Sequence, residues 1–297
     1  MFIYKKVVLL GIILHVLMFI SGCSQIWNAS IGGETLEELQ QRDYEDLIQY
    51  EITDIDRNIK CKDYVLVNIS QPMMDYENAE DCTLESENII IYRGGNYVVY
   101  GKTDECRLIV NTYDDEIVHL FLTDVEWKTE GGPVIYVEQA GKVIITLVAG
   151  TENIIFDDAG HSSDIQACIF SNSDLTINGN GKLSVYGYYH DAVRSKNRVK
   201  VIDANLYIKS QNDGIRGNDG VIFENSTIQI ESKGIGIKTK SEKGYVVISG
   251  GICKIIAGEN AIRADNYVGI YGCDYTFSSI YEAVQCNGKK ELERSVK

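Results

Sequence analysis

The sequence predicts an all-β fold, a single-stranded parallel β-helix with three short strands per coil of about 22 residues. Three observations predict it. A four-residue phrase recurs as Ala167-Cys168-Ile169-Phe170, Asp191-Ala192-Val193-Arg194, Asp213-Gly214-Ile215-Arg216, Ile235-Gly236-Ile237-Lys238, Asn260-Ala261-Ile262-Arg263 and Glu282-Ala283-Val284-Gln285. Its third position falls at 169, 193, 215, 237, 262 and 284, in steps of 24, 22, 22, 25 and 22. Two further strand-like phrases lie between successive anchors, for example 174–177 and 182–185, then 199–202 and 205–208. The composition agrees: 27 glycines, two prolines and long runs of Ile, Val, Tyr and Thr, which are strand formers punctuated by turns. Three strands and three turns use up each coil, leaving no room for a crossover helix of about ten or more residues. A β-sandwich has turns every 8–12 residues or so, but does not hold six anchors in one phase.

The elements follow in order. Lys5 and Lys6 form a short n-region, and 7–20 is an apolar run broken by Gly11 and His15. That run is short for a membrane span of about 20 residues, and Ile20-Ser21-Gly22-Cys23 places small residues before a cut. Residues 1–22 therefore read as a signal peptide. The Ser-Gly-Cys resembles the lipobox of bacterial lipoproteins. That resemblance implies that Cys23 is acylated, by chains such as palmitate, becomes the first mature residue, and anchors the exported protein to the cell membrane facing outward. Residues 23–50 then hold a spacer. Thr35-Leu36-Glu37-Glu38 has the form of a capping box, and Leu36, Leu39, Tyr44 and Leu47 recur at near-helical spacing. This is either a short N-terminal helix that caps the solenoid or a loose stalk. Residues 51–297 make up the β-helix. Between 51 and 160 the apolar runs at 88–92, 97–100, 107–110, 118–122, 134–137 and 142–147 are strands of irregular period. Asn178-Gly179-Asn180-Gly181 and Gly250-Gly251 mark turns that need positive φ.

Charge and cysteines exclude several classes. The net charge is -15, and losing Lys5 and Lys6 with the leader makes it two units more negative. Nucleic acid is not an expected partner, because phosphate binders carry a basic footprint. The self-repelling surface suits a monomer. Seven cysteines remain beside Cys23, with no CxxC pair, so zinc is disfavoured. Cys253 and Cys273 lie about one repeat apart, and the exported setting permits a disulfide there.

The segment Cys168-Ile169-Phe170-Ser171-Asn172-Ser173-Asp174-Leu175-Thr176-Ile177-Asn178-Gly179-Asn180-Gly181 resembles the signature of a bacterial family of β-helical carbohydrate-binding proteins, found in clostridial-type exported lipoproteins. So do Lys142-Val143-Ile144-Ile145-Thr146-Leu147, Gly150-Thr151-Glu152-Asn153 and Asn212-Asp213-Gly214-Ile215-Arg216-Gly217. The resemblance covers roughly residues 83–288. It implies a right-handed β-helix that binds calcium and polygalacturonate, the acidic backbone of pectin. The family repeats Asp-Asp-Gly-Ile in successive coils. Here only Asn212-Asp213-Gly214-Ile215 is nearly intact, so the acidic stack is thinned.

In a solenoid one position per coil becomes a line of side chains. Asp191 and Asp213 fall about 5 Å apart in such a line, and two carboxylates that close attract a cation. Calcium takes six to eight oxygens, so the expected ligands are Asp191, Asn212 and Asp213, repeated at Glu259 and Asn260. Ordinary turn chemistry explains the same residues. One position later, Arg194, Arg216, Lys238 and Arg263 form a cationic stripe with parity opposite to the inward Val193, Ile215, Ile237 and Ile262. Either neighbouring Asp and Glu neutralise it, or an acidic polysaccharide lies across it through bidentate guanidinium–carboxylate pairs. Tyr188 and Tyr189 would add sugar-facing rings. Catalysis is not expected: Arg216 beside Asp213 echoes a lyase pair, but His119, His161 and His190 lack matching context. The remaining alternative is a non-binding surface stalk or adhesin.

Overall fold

A computed structural model of the chain describes residues 51–71, 81–113, 115–160 and 164–294. The readings of 1–22 as a signal peptide, of Cys23 as a lipidation site and of a helix before residue 50 lie outside the described residues. The body is an all-β parallel solenoid with three sheet faces. Face A carries the anchors, as strands Ala167–Ser171, Asp191–Ser195, Ile215–Gly217, Ile237–Lys238, Ile262–Ala264 and Val284–Cys286. Ile169, Val193, Ile215, Ile237, Ile262 and Val284 pair in one unbroken register. Face B holds Lys142–Leu147, Asp174–Asn178, Arg198–Ile202, Gly220–Glu224 and Tyr245–Ser249. Face C holds Glu152–Asp157, Lys182–Gly187, Asn205–Ser210, Thr227–Ser232 and Ile252–Ala257. Two long strands, Ile117–Thr129 and Tyr267–Ser279, run around the corner from B to C, so those two faces form one continuous sheet. An antiparallel pair, Cys82–Glu85 with Asn88–Ile91, begins face A.

Alternation builds the core. One parity of every strand points inward, and Ile, Val and Leu from all three faces merge into one buried cluster. Each such side chain contributes roughly 1.5–3 kcal/mol on burial. The corner from B to C repeats a single device. Gly179, Asp203, Asn225, Gly250 and Gly272 follow strand ends that are in register, and all have positive φ. Glycine, Asp and Asn tolerate that conformation best. A Cβ at Gly179 would also lie 2.5 Å from the Leu147 carbonyl oxygen, so Gly179→Ala is strained twice over.

Residues 51–60 contain no strand. They form a strap across the outer surface of face B, and strand pairing starts with Tyr64–Asn68. Ile52 packs on the outward Ile202 and Ile222. Fully buried Asp56 receives Lys142 at 2.8 Å, Lys200 at 3.3 Å and the Thr176 hydroxyl at 2.6 Å. Burial alone would raise the Asp56 carboxyl, but hydrogen bonds from Lys142 and Thr176 outweigh it and hold the group well below the carboxylate range. Arg57 pairs with Glu224 at 2.7 Å, and Arg198 with Glu51 and Asp174.

The seven described cysteines are free. Cys253 stands opposite Tyr275 rather than Cys273, so the one-repeat spacing does not join those two thiols in a disulfide.

Candidate functional site

The outward parity of face A forms one ladder. In order along the solenoid it reads Tyr136, Phe170, Arg194, Arg216, Lys238, Arg263, each opposite the next. Strand pairing sets these side chains about 4.8 Å apart. The four cations expected from the repeat are thus brought together. Arg194, Arg216 and Lys238 are half-buried and Arg263 is exposed. The rings beside them were not singled out from sequence. Phe170 is nearly buried because it is sandwiched. The Arg194 guanidinium lies 5.7 Å from its centroid, Lys196 Nζ 6.0 Å, and the Tyr136 ring 6.0 Å. The signal was present, since Phe170 holds the same fourth position of the recurring phrase as the cations.

Like charges at this spacing repel. Burial and the neighbouring Arg216 push the Arg194 guanidinium down from its ordinary value. Lys238 is relieved by an ion pair with Asp213 at 2.9 Å. Arg194 and Arg216 make no ion pair among the described residues, and the Nε of each is buried without a hydrogen-bond acceptor there. Two buried, unsatisfied donors in one row are costly.

The turn entering face A holds the expected metal ligands. Asp191 and Asp213 stack on successive coils, and each carboxylate caps the next turn. Asp191 Oδ1 accepts from the Asp213 N–H at 3.0 Å and from Asn212 Nδ2 at 2.7 Å, and it lies 2.8 Å from His190 Nδ1. Asp213 Oδ1 accepts the Ile235 N–H at 3.0 Å. Burial would raise the Asp191 carboxyl, but the bonds from His190 and Asn212 hold it below the usual range. Its Oδ2 is buried without a partner among the described residues. Asn260 Nδ2 donates to the Glu282 carbonyl at 2.6 Å, and Glu259 is exposed. Among the described residues, no three His, Cys, Asp or Glu side chains converge as a metal centre.

Tyr188 and Tyr189 lie in the turn before face A, outside the strand ladder. Their N–H groups donate to Asp157 Oδ1 at 2.6 and 3.2 Å. The Tyr188 ring turns toward face C, 5.8 Å from Tyr186 and 6.3 Å from Phe156.

The family model for carbohydrate-binding domain-containing proteins matches residues 85–295, the whole span that carries the ladder and its turns. The chain belongs to this carbohydrate-binding family. A family relative from Acetivibrio thermocellus, a carbohydrate-binding domain-containing protein, is 29% identical over 222 residues, covering 71% of this chain and 78% of its own. Among solved structures, the polysaccharide lyase-like protein from C. thermocellum, as a gadolinium derivative, is similar with a TM-score of 0.72 and 26% identity. The match covers 77% of this chain and 96% of that one. Among the described residues, the face A ladder combines a row of four cations with two buried Nε groups that have no acceptor there.

Proposed function

We propose that the chain is a non-catalytic binder of an acidic polysaccharide of the polygalacturonate type, held along the face A ladder. The observation that carries this reading is the pair Arg194 and Arg216, in register, half-buried, and with both Nε–H groups lacking acceptors among the described residues. A uronate polymer presents carboxylates at regular intervals, and guanidinium forks bind carboxylates in bidentate pairs. Phe170 and Tyr136 would offer apolar ring faces at one end of the row. A lyase reading finds less support. Asp213, the carboxylate nearest to a lyase-like arrangement with Arg216, is committed to Lys238 and the Ile235 N–H. His119 is buried, and that burial lowers it to about 4.

Calcium is proposed as an accessory to the same turn. The donor chemistry fits at Asp191, whose buried Oδ2 has no partner among the described residues and whose neighbour Asn212 can add an amide oxygen. It fits less well at Asp213, where Lys238 already supplies the charge. Export, acylation at Cys23 and an outward-facing membrane anchor complete the proposal, resting on the leader and the Ser-Gly-Cys sequence.

Calorimetric titration of the purified chain with polygalacturonate tests the main reading. Binding is expected, weakened by added salt and lowered about tenfold or more, roughly 1.4 kcal/mol, by the double variant Arg194→Gln with Arg216→Gln. Absence of binding with the fold intact by circular dichroism overturns it and leaves a surface stalk. For calcium, the melting temperature of chelator-treated protein should rise when the ion is restored, and Asp191→Asn should abolish the rise.

A further inference from the structure

We propose that Tyr267, Tyr271 and Glu291 form a binding site for a hard trivalent cation of the ferric type, on the outer surface of face B at its last coil. The site shares no residue with the face A ladder or its turn, and it does not rest on the polysaccharide reading.

The sequence builds the cluster around one glycine. Tyr267 and Tyr271 lie at the start of the long strand Tyr267–Ser279, with Gly269 between them. All three share one parity, opposite to the core residues Val268 and Ile270. The last described strand, Lys289–Arg294, pairs with this one and sets Glu291 opposite Gly269. Gly269 leaves the space into which both rings lean. A Cβ there would lie 2.7 Å from the Tyr267 hydroxyl and 2.7 Å from the Tyr271 ring. Three oxygens therefore converge. The Tyr267 hydroxyl lies 2.6 Å from Glu291 Oε2, the Tyr271 hydroxyl 2.5 Å from the same oxygen, and the two hydroxyls touch each other. Tyr267 is fully buried, while Tyr271 and Glu291 are half-buried and bring the cluster to the surface.

Protons do not close this triangle. The two phenols bring two hydrogens to three oxygen–oxygen contacts. Burial would raise the Glu291 carboxyl, but Lys289, paired with its Oε1, and the two phenols hold it below its usual range, so it supplies no third hydrogen. One contact is left with two oxygens facing each other. A cation takes all three oxygens at once. The donors are hard oxygens, which disfavours soft metals. Charge then selects the ion: two phenolates and one carboxylate carry three negative charges, the match for a trivalent cation. Burial and the bond to Glu291 push the Tyr267 phenol up. Calcium, which gathers six to eight oxygens mostly from carboxylates and carbonyls, leaves such a phenol protonated. A ferric ion is a far stronger acid, and its own charge reverses that and displaces the proton. Glu291 lies on the last described strand and both tyrosines on the strand before it, so a bound ion also staples the two together.

The test uses the full chain, treated with chelator, and ferric nitrilotriacetate as the probe. Wild type should take up iron and develop the visible phenolate-to-iron charge-transfer absorption, which carboxylate-bound iron does not show. Its melting temperature should rise with loading. Both signals should fade as pH falls, because binding releases the phenol protons. Tyr267→Phe with Tyr271→Phe keeps both rings and should abolish the absorption, with circular dichroism as the fold control. Tyr271→Phe alone, at the half-buried position, should lose part of it and serves if the double variant does not fold. Asp191→Asn, and Arg194→Gln with Arg216→Gln, should keep it in full, which separates this site from face A. Excess calcium should leave it in place. Wild type without the absorption overturns the site, as does a folded double variant that retains it or an Asp191→Asn protein that loses it. Displacement of the iron by calcium overturns the assignment to a trivalent ion.

Discussion

Faces A and B both display outward cations and use them differently. On face B, Lys142 and Lys200 stand two coils apart on strands flanking Asp174–Asn178, and the strap lays Asp56 between them. On face A, Arg194 and Arg216 stand on adjacent coils, and no carboxylate from the described chain pairs with them. A lysine or arginine on a solenoid surface is therefore structural or available according to what crosses over it. The strap makes part of face B an interior; on face A, no carboxylate among the described residues forms an ion pair with Arg194 or Arg216.

The largest expected effect breaks the face B arrangement. Asp56→Ala leaves Lys200 buried beside an empty site, and removing one partner from a buried pair costs about 3–5 kcal/mol. Chemical denaturation should report that loss, while polygalacturonate binding by the folded protein stays at the wild-type value. Loss of binding in a folded Asp56→Ala protein would mean that the two faces are coupled. The pH sign follows from the lowered Asp56 pKa. Its stabilisation is complete above the unfolded carboxylate pKa and is lost only as pH falls through the lower folded value. The strap should accordingly stay docked in moderately acidic solution.

Asp157 gives the opposite sign and a smaller effect. It is buried at the corner between faces C and A, and burial raises it to about 6 even though the N–H groups of Tyr189 and Tyr188 favour its ionised form. The folded state thus holds a proton that the unfolded chain releases between about pH 4 and pH 6, and stability falls as pH rises through that window. Asp157→Asn keeps an acceptor for both N–H groups and removes the ionisation. It should stabilise the protein by about 1–2 kcal/mol above pH 6 and by nothing near pH 4. Denaturation midpoints at the two pH values check this, and equal midpoint shifts at both would contradict it.

Much of the fold was legible because strand pairing in a solenoid is a sequence-period problem. The anchors at 169, 193, 215, 237, 262 and 284 predict the observed register of face A without correction. The cation ladder came with it, since one parity fixes one face. The strap was not legible. Residues 51–60 carry no period, and their fit to face B depends on contacts such as Asp56 with Thr176, 120 positions away. Lys200 looked like any outward lysine for the same reason. Sequence alone does not place the Tyr188 ring, which packs against Tyr186 and Phe156 of face C, because a turn, unlike a strand, does not fix which face a side chain joins. Asp203 and Asn225 could have been read as corner residues, since they hold the same position as Gly179 and Gly250.

The smallest effect is the most direct test of the comparison between faces, because it makes one chemical change on both. Lys200→Gln removes a cation that is almost fully buried and bonded to Asp56 and the Glu51 carbonyl. Hydrogen bonds to charged groups of this kind contribute about 1.5–3 kcal/mol each, so the melting temperature should drop by several degrees. Arg216→Gln removes a cation that repels Arg194 and makes no ion pair among the described residues. Partly exposed charges contribute only about 0–1 kcal/mol, so stability should stay level or rise by a few tenths of a kcal/mol. If both variants fall equally, Arg216 is structural after all and the ladder loses its claim to be a binding surface. If only Lys200→Gln falls, Arg216 is dispensable to the fold, and the ladder stays free to serve as the proposed binding surface.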